Sequence, residues 1–231
     1  VKKADLLTIV CVILFFAPFF IFKPVYDFYS QFNREHGYIM SALKFMFLAT
    51  FGEMLSLRIR TGRYYQKGFG LIPRMIVWAF IGILIKIGFA IFSPSGPVLL
   101  ASIGINITPA VFNEPFTAIK LLAAFTTSLC MNLIFAPVFM TFHKITDEHI
   151  SRNGGTIRGF FTPIKFYEIF PQINWNVMWG FVYKKTIPLF WIPAHTITFL
   201  LPEEFRVLFA AILGIVLGVI LGIASLKSKN Q

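Results

Sequence analysis

The chain has 231 residues, a net charge of +11, 57% hydrophobic residues and only 13% charged ones. Soluble domains carry about 25% charged residues, so this composition argues against a soluble domain, as does a mean hydropathy of +0.74. A nucleic-acid partner is set aside too. The basic residues sit in short loops between apolar runs, where they read as the positive-inside bias of a membrane protein.

Taken in order, Val1-Lys2-Lys3 precedes an apolar run over residues 6–22. A basic start and an apolar core have the form of a signal peptide, but no small-x-small site follows the bulky Phe19, Phe20 and Phe22. A retained first span is therefore expected. Residues 24–37 form a polar loop. Residues 38–57 are a second span, long enough for about 30 Å of hydrocarbon. It holds Lys44 and Glu53, which fall on roughly opposite helix faces and are not expected to pair. Lys44 is close enough to an end to snorkel. The densest basic loop follows, with Arg58, Arg60, Arg63, Lys67 and Arg74.

Residues 75–92 are a third span with Lys86 inside it, ended by Ser93-Pro94-Ser95-Gly96-Pro97. Residues 98–112 are apolar but short, which suits a re-entrant or interfacial segment. Residues 116–142 are a long span with Lys120 early, Asn132 in the middle and a kinking Pro137 late. The largest polar loop, residues 143–174, leads to Trp175, Trp179 and Tyr183, spaced by four on one helix face as interfacial aromatics. Residues 186–201 form a fifth span interrupted by Pro188 and Pro193, too short to cross without unwinding or extension. Glu203 and Glu204 suit the start of the last span, residues 207–226. There Gly214, Gly218 and Gly222 form a small-residue stripe, fit for close packing within one subunit or, alternatively, for a homo-oligomer contact.

The expected fold class is therefore all-α, a polytopic membrane helix bundle. It has about six spans, one short re-entrant or interfacial segment and a proline-broken fifth span, within a single membrane domain over residues 1–231. With six spans, one side collects Lys2, Lys3, Arg58, Arg60, Arg63, Lys67, Arg74, Lys144, Arg152, Arg158, Lys165, Lys184, Lys185, Lys227 and Lys229. The other side collects Lys23, Arg34 and Arg206. That bias places both termini in the cytoplasm. No Arg- and Ser-rich transit segment is visible, which favours a cell membrane over an organelle membrane.

Ionisable residues inside spans are candidate functional groups, because burying them in lipid is costly. Glu53 and Lys86 lead, with a path lined by them weighed against an interhelical ion pair or snorkelling. His195 follows Pro193, where unwound backbone would expose it to a cavity; the alternative is a satisfied hydrogen bond to a neighbouring helix. His143 and Asp147 share a helix face, but His149 lies about 120° away, so no metal site is expected. Cys11 and Cys130 are expected to be packing residues, since neither shows disulfide or zinc spacing. No nucleophile elbow, P-loop or zinc-protease motif occurs, so neither an enzyme nor a cofactor is expected. The single Asn106-Ile107-Thr108 acceptor pattern is read as chance.

Trp191, Pro193, His195, Thr198-Phe199, Pro202 and Arg206 resemble the C-terminal signature of the Mpv-type peroxisomal membrane protein family. These are small multi-pass proteins of peroxisomal and inner mitochondrial membranes, with prokaryotic relatives. His195 stands at the family's Gln and Thr198 at its Asn. Looser matches are Gly52-Glu53, Arg74 with Gly82, and Ala136-Pro137 with Asn132 at a Gln position. The resemblance covers residues 38–226 and leaves residues 6–22 as an added span. It implies a channel-like protein passing small solutes, with a path near Glu53, Lys86, Asn132, His195 and Arg206. The partners expected are the lipid bilayer and a small solute.

Overall fold

The structure, a computed structural model, describes residues 3–229; Lys2 lies outside them, as do the side chains of Lys227 and Lys229. Helices are the only regular elements among the described residues. They are α1 Lys3–Ile21, α2 Lys23–Glu35, α3 Gly37–Thr61, α4 Leu71–Phe92, α5 Ser95–Ser102 and α6 Ala118–Arg152. Short helices α7 Ile157–Phe160, α8 Phe166–Ile169 and α9 Trp175–Val177 follow, then a π-helix over Met178–Trp191, α10 Ile192–Leu200 and α11 Glu203–Lys229. Among the described residues, five helical segments are long and apolar enough to cross a membrane: Lys3–Ile21, Gly37–Thr61, Leu71–Ser102, Ala118–Arg152 and Glu203–Ile223. The protein is an all-α bundle of several spans.

The chain divides into two compact units, residues 1–40 and residues 41–231. In the first, α1 buries none of its residues. Phe19 of α1 meets Tyr29 of α2 edge to face at 5.5 Å. Lys23 pairs with Asp27 at 2.6 Å across one turn of α2.

The second unit holds the core. Phe45, Ile81, Phe89, Ala124, Met131, Phe199 and Ala211 are buried in one cluster drawn from α3, α4, α6, α10 and α11. The glycine stripe is used inside this unit. A Cβ on Gly218 would lie 2.8 Å from the Gly52 carbonyl oxygen, and one on Gly222 would lie 3.2 Å from Ile59 Cβ. Only glycine lets α11 approach α3 so closely. Gly214 is looser, with Ala49 Cβ 3.9 Å from its added Cβ. This face is therefore covered by the chain's own α3.

Two segments take forms the sequence only outlined. The interruption expected at Pro188 and Pro193 is a stretch of wide π turns, not a break. Helix runs continuously from Trp175 through Met178–Trp191 into α10. Pro188 has no N–H to give, and the wide turns are carried by bonds five residues apart. Ile192 N–H donates to the Ile187 carbonyl, and Thr186 Oγ1 donates to the Phe181 carbonyl. The aromatic piece before residue 186 is thus part of the same helix, and this helix is not one of the five long apolar segments among the described residues. The short apolar segment at 98–112 is α5, a loop and a 3-10 turn over Pro109–Asn113. The chain turns at Ser93-Pro94 and α5 packs on α6, where a Cβ on Gly96 would meet the Ala123 carbonyl at 2.4 Å.

At 1.5 Å per residue, the 35 residues of α6 reach about 52 Å. That exceeds the hydrocarbon thickness, so its last turns extend beyond a bilayer core. Pro137 is accommodated inside the helix, with Thr141 Oγ1 donating to the Pro137 carbonyl at 2.7 Å.

Candidate functional site

The second unit holds a partly open cavity of about 630 Å³ bounded by α3, α4, α6, the π segment, α10 and α11. One end reaches the 66–69 loop and the last turns of α6, through Gln66, Gly68, Glu148 and Ser151. The other end reaches Asn132, Trp191 and His195. Its charged lining is balanced: Arg60, Arg74 and Lys144 against Glu53, Asp147 and Glu148. The chain as a whole carries +11, so this neutrality is local.

Toward the loop end, five helical side chains close into one network. Arg74 Nη1 lies 2.5 Å from Glu53 Oε2 and 2.6 Å from Asp147 Oδ1. Trp78 Nε1 donates to Glu53 Oε1 at 2.8 Å, and His143 Nε2 approaches the same oxygen at 3.3 Å. Arg74 Nε donates to the Phe69 carbonyl at 2.7 Å, and the guanidinium rests 5.0 Å from the Phe69 ring centre. The positioning is local in origin. Gly70 adopts φ +70°, which turns the chain into α4. Arg74 and Trp78 then share a face at i and i+4, as His143 and Asp147 do on α6.

Glu53, His143 and Asp147 offer donor atoms within 4.8 Å of one another, the spacing of a cation site. Arg74 Nη1 already sits between the two carboxylates, so the cation that completes this cluster is the guanidinium. His149 stands apart, as the helix geometry required. Its Nε2 lies 3.1 Å from the Phe160 carbonyl and its Nδ1 lies 3.3 Å from Asn153.

The deep end is uncharged. Asn132 is fully buried; its Nδ2 donates to the Ser128 carbonyl at 2.9 Å and lies 3.1 Å from His195 Nδ1. Trp191 stacks near His195 with ring centres 5.1 Å apart, and Phe89 meets His195 edge-on at 5.9 Å. Asn132 Oδ1 and Trp191 Nε1 are buried without a protein partner.

No protein-family model, curated protein or solved structure matches this chain.

Of the five residues expected near a path, Glu53, Asn132 and His195 line the cavity and Lys86 and Arg206 do not; Trp191 of the motif and Gly214 and Gly218 of the stripe line it too. Lys86 pairs with the exposed Glu203 at 3.2 Å. Arg206 is a tether. It donates to the carbonyls of Leu201 and Phe199 at 3.0 and 3.3 Å and to Ser93 Oγ at 3.0 Å, between the rings of Phe112 and Phe199. Those bonds satisfy carbonyls at the C-terminal end of α10. Phe199 is fully buried against Phe89 at 5.5 Å. Thr198 turns its hydroxyl back to the Ala194 carbonyl at 3.0 Å. Pro193 sits inside the continuous helix, where the π segment passes into α10, and Pro202 lies just before α11, where no N–H is needed. Sequence reasoning missed Arg74 and Trp78 as partners of Glu53. The i, i+4 spacing of an Arg and a Trp at the start of a span was the available signal.

Proposed function

We propose that this chain lets small solutes cross a membrane through its second unit. The observation that carries this reading is the cavity of about 630 Å³ within an apolar bundle, lined by paired charges at one end and by Asn132 and His195 further in. Polar groups inside a membrane bundle are costly and typically mark a substrate path. The resemblance to the Mpv-type family points to the same class of activity. Under the basic-loop bias, both termini and the charged end of the cavity face the cytoplasm of a cell membrane.

The test is flux of a solute panel, with glycerol, urea and lactate among them, through purified protein in liposomes. Wild type passes at least one of them faster than empty liposomes. Glu53→Gln removes one negative charge from a balanced lining, so anion flux rises relative to neutral flux. No flux above the empty-liposome rate for any solute would overturn the reading.

A further inference from the structure

The deep end of the cavity carries hydrogen-bonding groups that the protein leaves unused. The orientation of Asn132 is fixed by its neighbours: Nδ2 faces the Ser128 carbonyl, which can only accept. Ser128 Oγ is committed as a donor to the Ile192 carbonyl at 2.7 Å. Asn132 Oδ1 is therefore a spare acceptor on a fully buried side chain. The remaining N–H of Nδ2 lies 3.1 Å from His195 Nδ1 and 3.2 Å from Ser128 Oγ; since Nδ2 can only donate, its contact with His195 assigns Nδ1 as the acceptor and the ring proton to Nε2. Trp191 Nε1–H is a second spare group, a donor, on a ring whose centre lies 5.1 Å from that of His195. Buried polar atoms in native proteins are nearly always partnered, and an exception calls for an explanation.

We propose that Asn132, Trp191 and His195 form a binding seat for a small uncharged solute that carries a hydrogen-bond donor beside an acceptor, an amide or a hydroxyl compound. This deepens the passage reading and rests on it for its transport consequence. An amide presents its carbonyl oxygen to the Trp191 and His195 N–H groups and its own N–H to Asn132 Oδ1. A carboxylate of the same size satisfies the two donors but sets an oxygen against Asn132 Oδ1, and no unpaired cation stands in the seat to compensate. Sites built to bond a donor reject analogues that lack it, because their own buried groups stay unpaired. The balanced charge along the rest of the cavity gives an anion no further attraction.

The test uses acetamide and acetate, an uncharged and an anionic solute of nearly equal shape. Binding of each to the purified full chain is followed by saturation-transfer NMR. Acetamide binds wild type, and acetate binds at least about tenfold more weakly. Trp191→Phe keeps an aromatic ring but removes the spare N–H, and weakens acetamide about three- to tenfold. It lowers the melting temperature less than Trp78→Phe does, since both lose the same ring volume but only Trp78 gives up a protein hydrogen bond. Asn132→Leu abolishes the preference for acetamide. Equal binding of acetate and acetamide, or wild-type acetamide binding in both variants, would overturn the seat. Liposome flux separates the two readings. Acetamide binding without solute flux sinks passage and leaves the seat; flux unaltered in both variants, without the binding preference, sinks the seat and leaves passage.

Discussion

The two ends of the cavity are opposites. At the loop end, Glu53, Arg74, Trp78, His143 and Asp147 bond to one another. At the deep end, Asn132 and Trp191 are uncharged and each retains an atom without a protein partner. Charge inside an apolar bundle must be neutralised within reach, so the loop end closes on itself and holds α3, α4 and α6 together. Uncharged polar groups can remain unpaired at a tolerable cost, and they are the ones left for a ligand. An ionisable residue in a span is therefore a weaker pointer to a binding site than a neutral polar one whose partners have been counted.

The largest expected effect breaks the closed end. Arg74→Ala leaves Glu53 and Asp147 facing each other, and removal of one partner from such a pair costs about 3 kcal/mol or more. A lowered melting temperature in detergent checks this. Should Arg74→Ala melt like wild type, the network is not holding the three helices.

A matched pair of tryptophan substitutions sharpens the contrast. Trp78→Phe removes a donor from the Glu53 carboxylate and should cost about 1.5–3 kcal/mol. Trp191→Phe loses the same ring volume but an N–H that bonds to nothing in the protein, so it should cost less by about 1 kcal/mol or more. Equal losses in denaturation would mean that the two ends are not distinct. The smallest effect is outside the cavity. Glu203 is 77% exposed in its pair with Lys86, so Glu203→Gln should change stability by about 0–1 kcal/mol and leave solute flux at the wild-type rate.

The site was legible in parts. Glu53, Asn132 and His195 stood out because polar residues in apolar runs are conspicuous, and all three reach the cavity. Lys86 and Arg206 stood out for the same reason and do other work, one pairing with Glu203 and one binding the end of α10. One-dimensional spacing shows that a charge lies in a span but not which neighbour meets it. Arg74 reads as part of a basic loop until α4 is seen to begin at Leu71, which turns it inward onto Glu53. Trp191 reads as a motif residue, and only the absence of a partner for its N–H marks it out.

The sequence by itself determined that the chain is a helical bundle with several spans, because long apolar runs separated by polar loops permit little else when every backbone group must be satisfied internally. It also placed the glycine stripe, the proline positions and the shared face of His143 and Asp147, since helix periodicity is a local property. Tertiary structure alone decided that the stripe meets α3, that the proline-rich segment widens into π turns instead of breaking, and that Arg74 completes a cluster with Glu53 and Asp147. Those outcomes depend on contacts between residues tens of positions apart, and such contacts are set by how whole helices fit together.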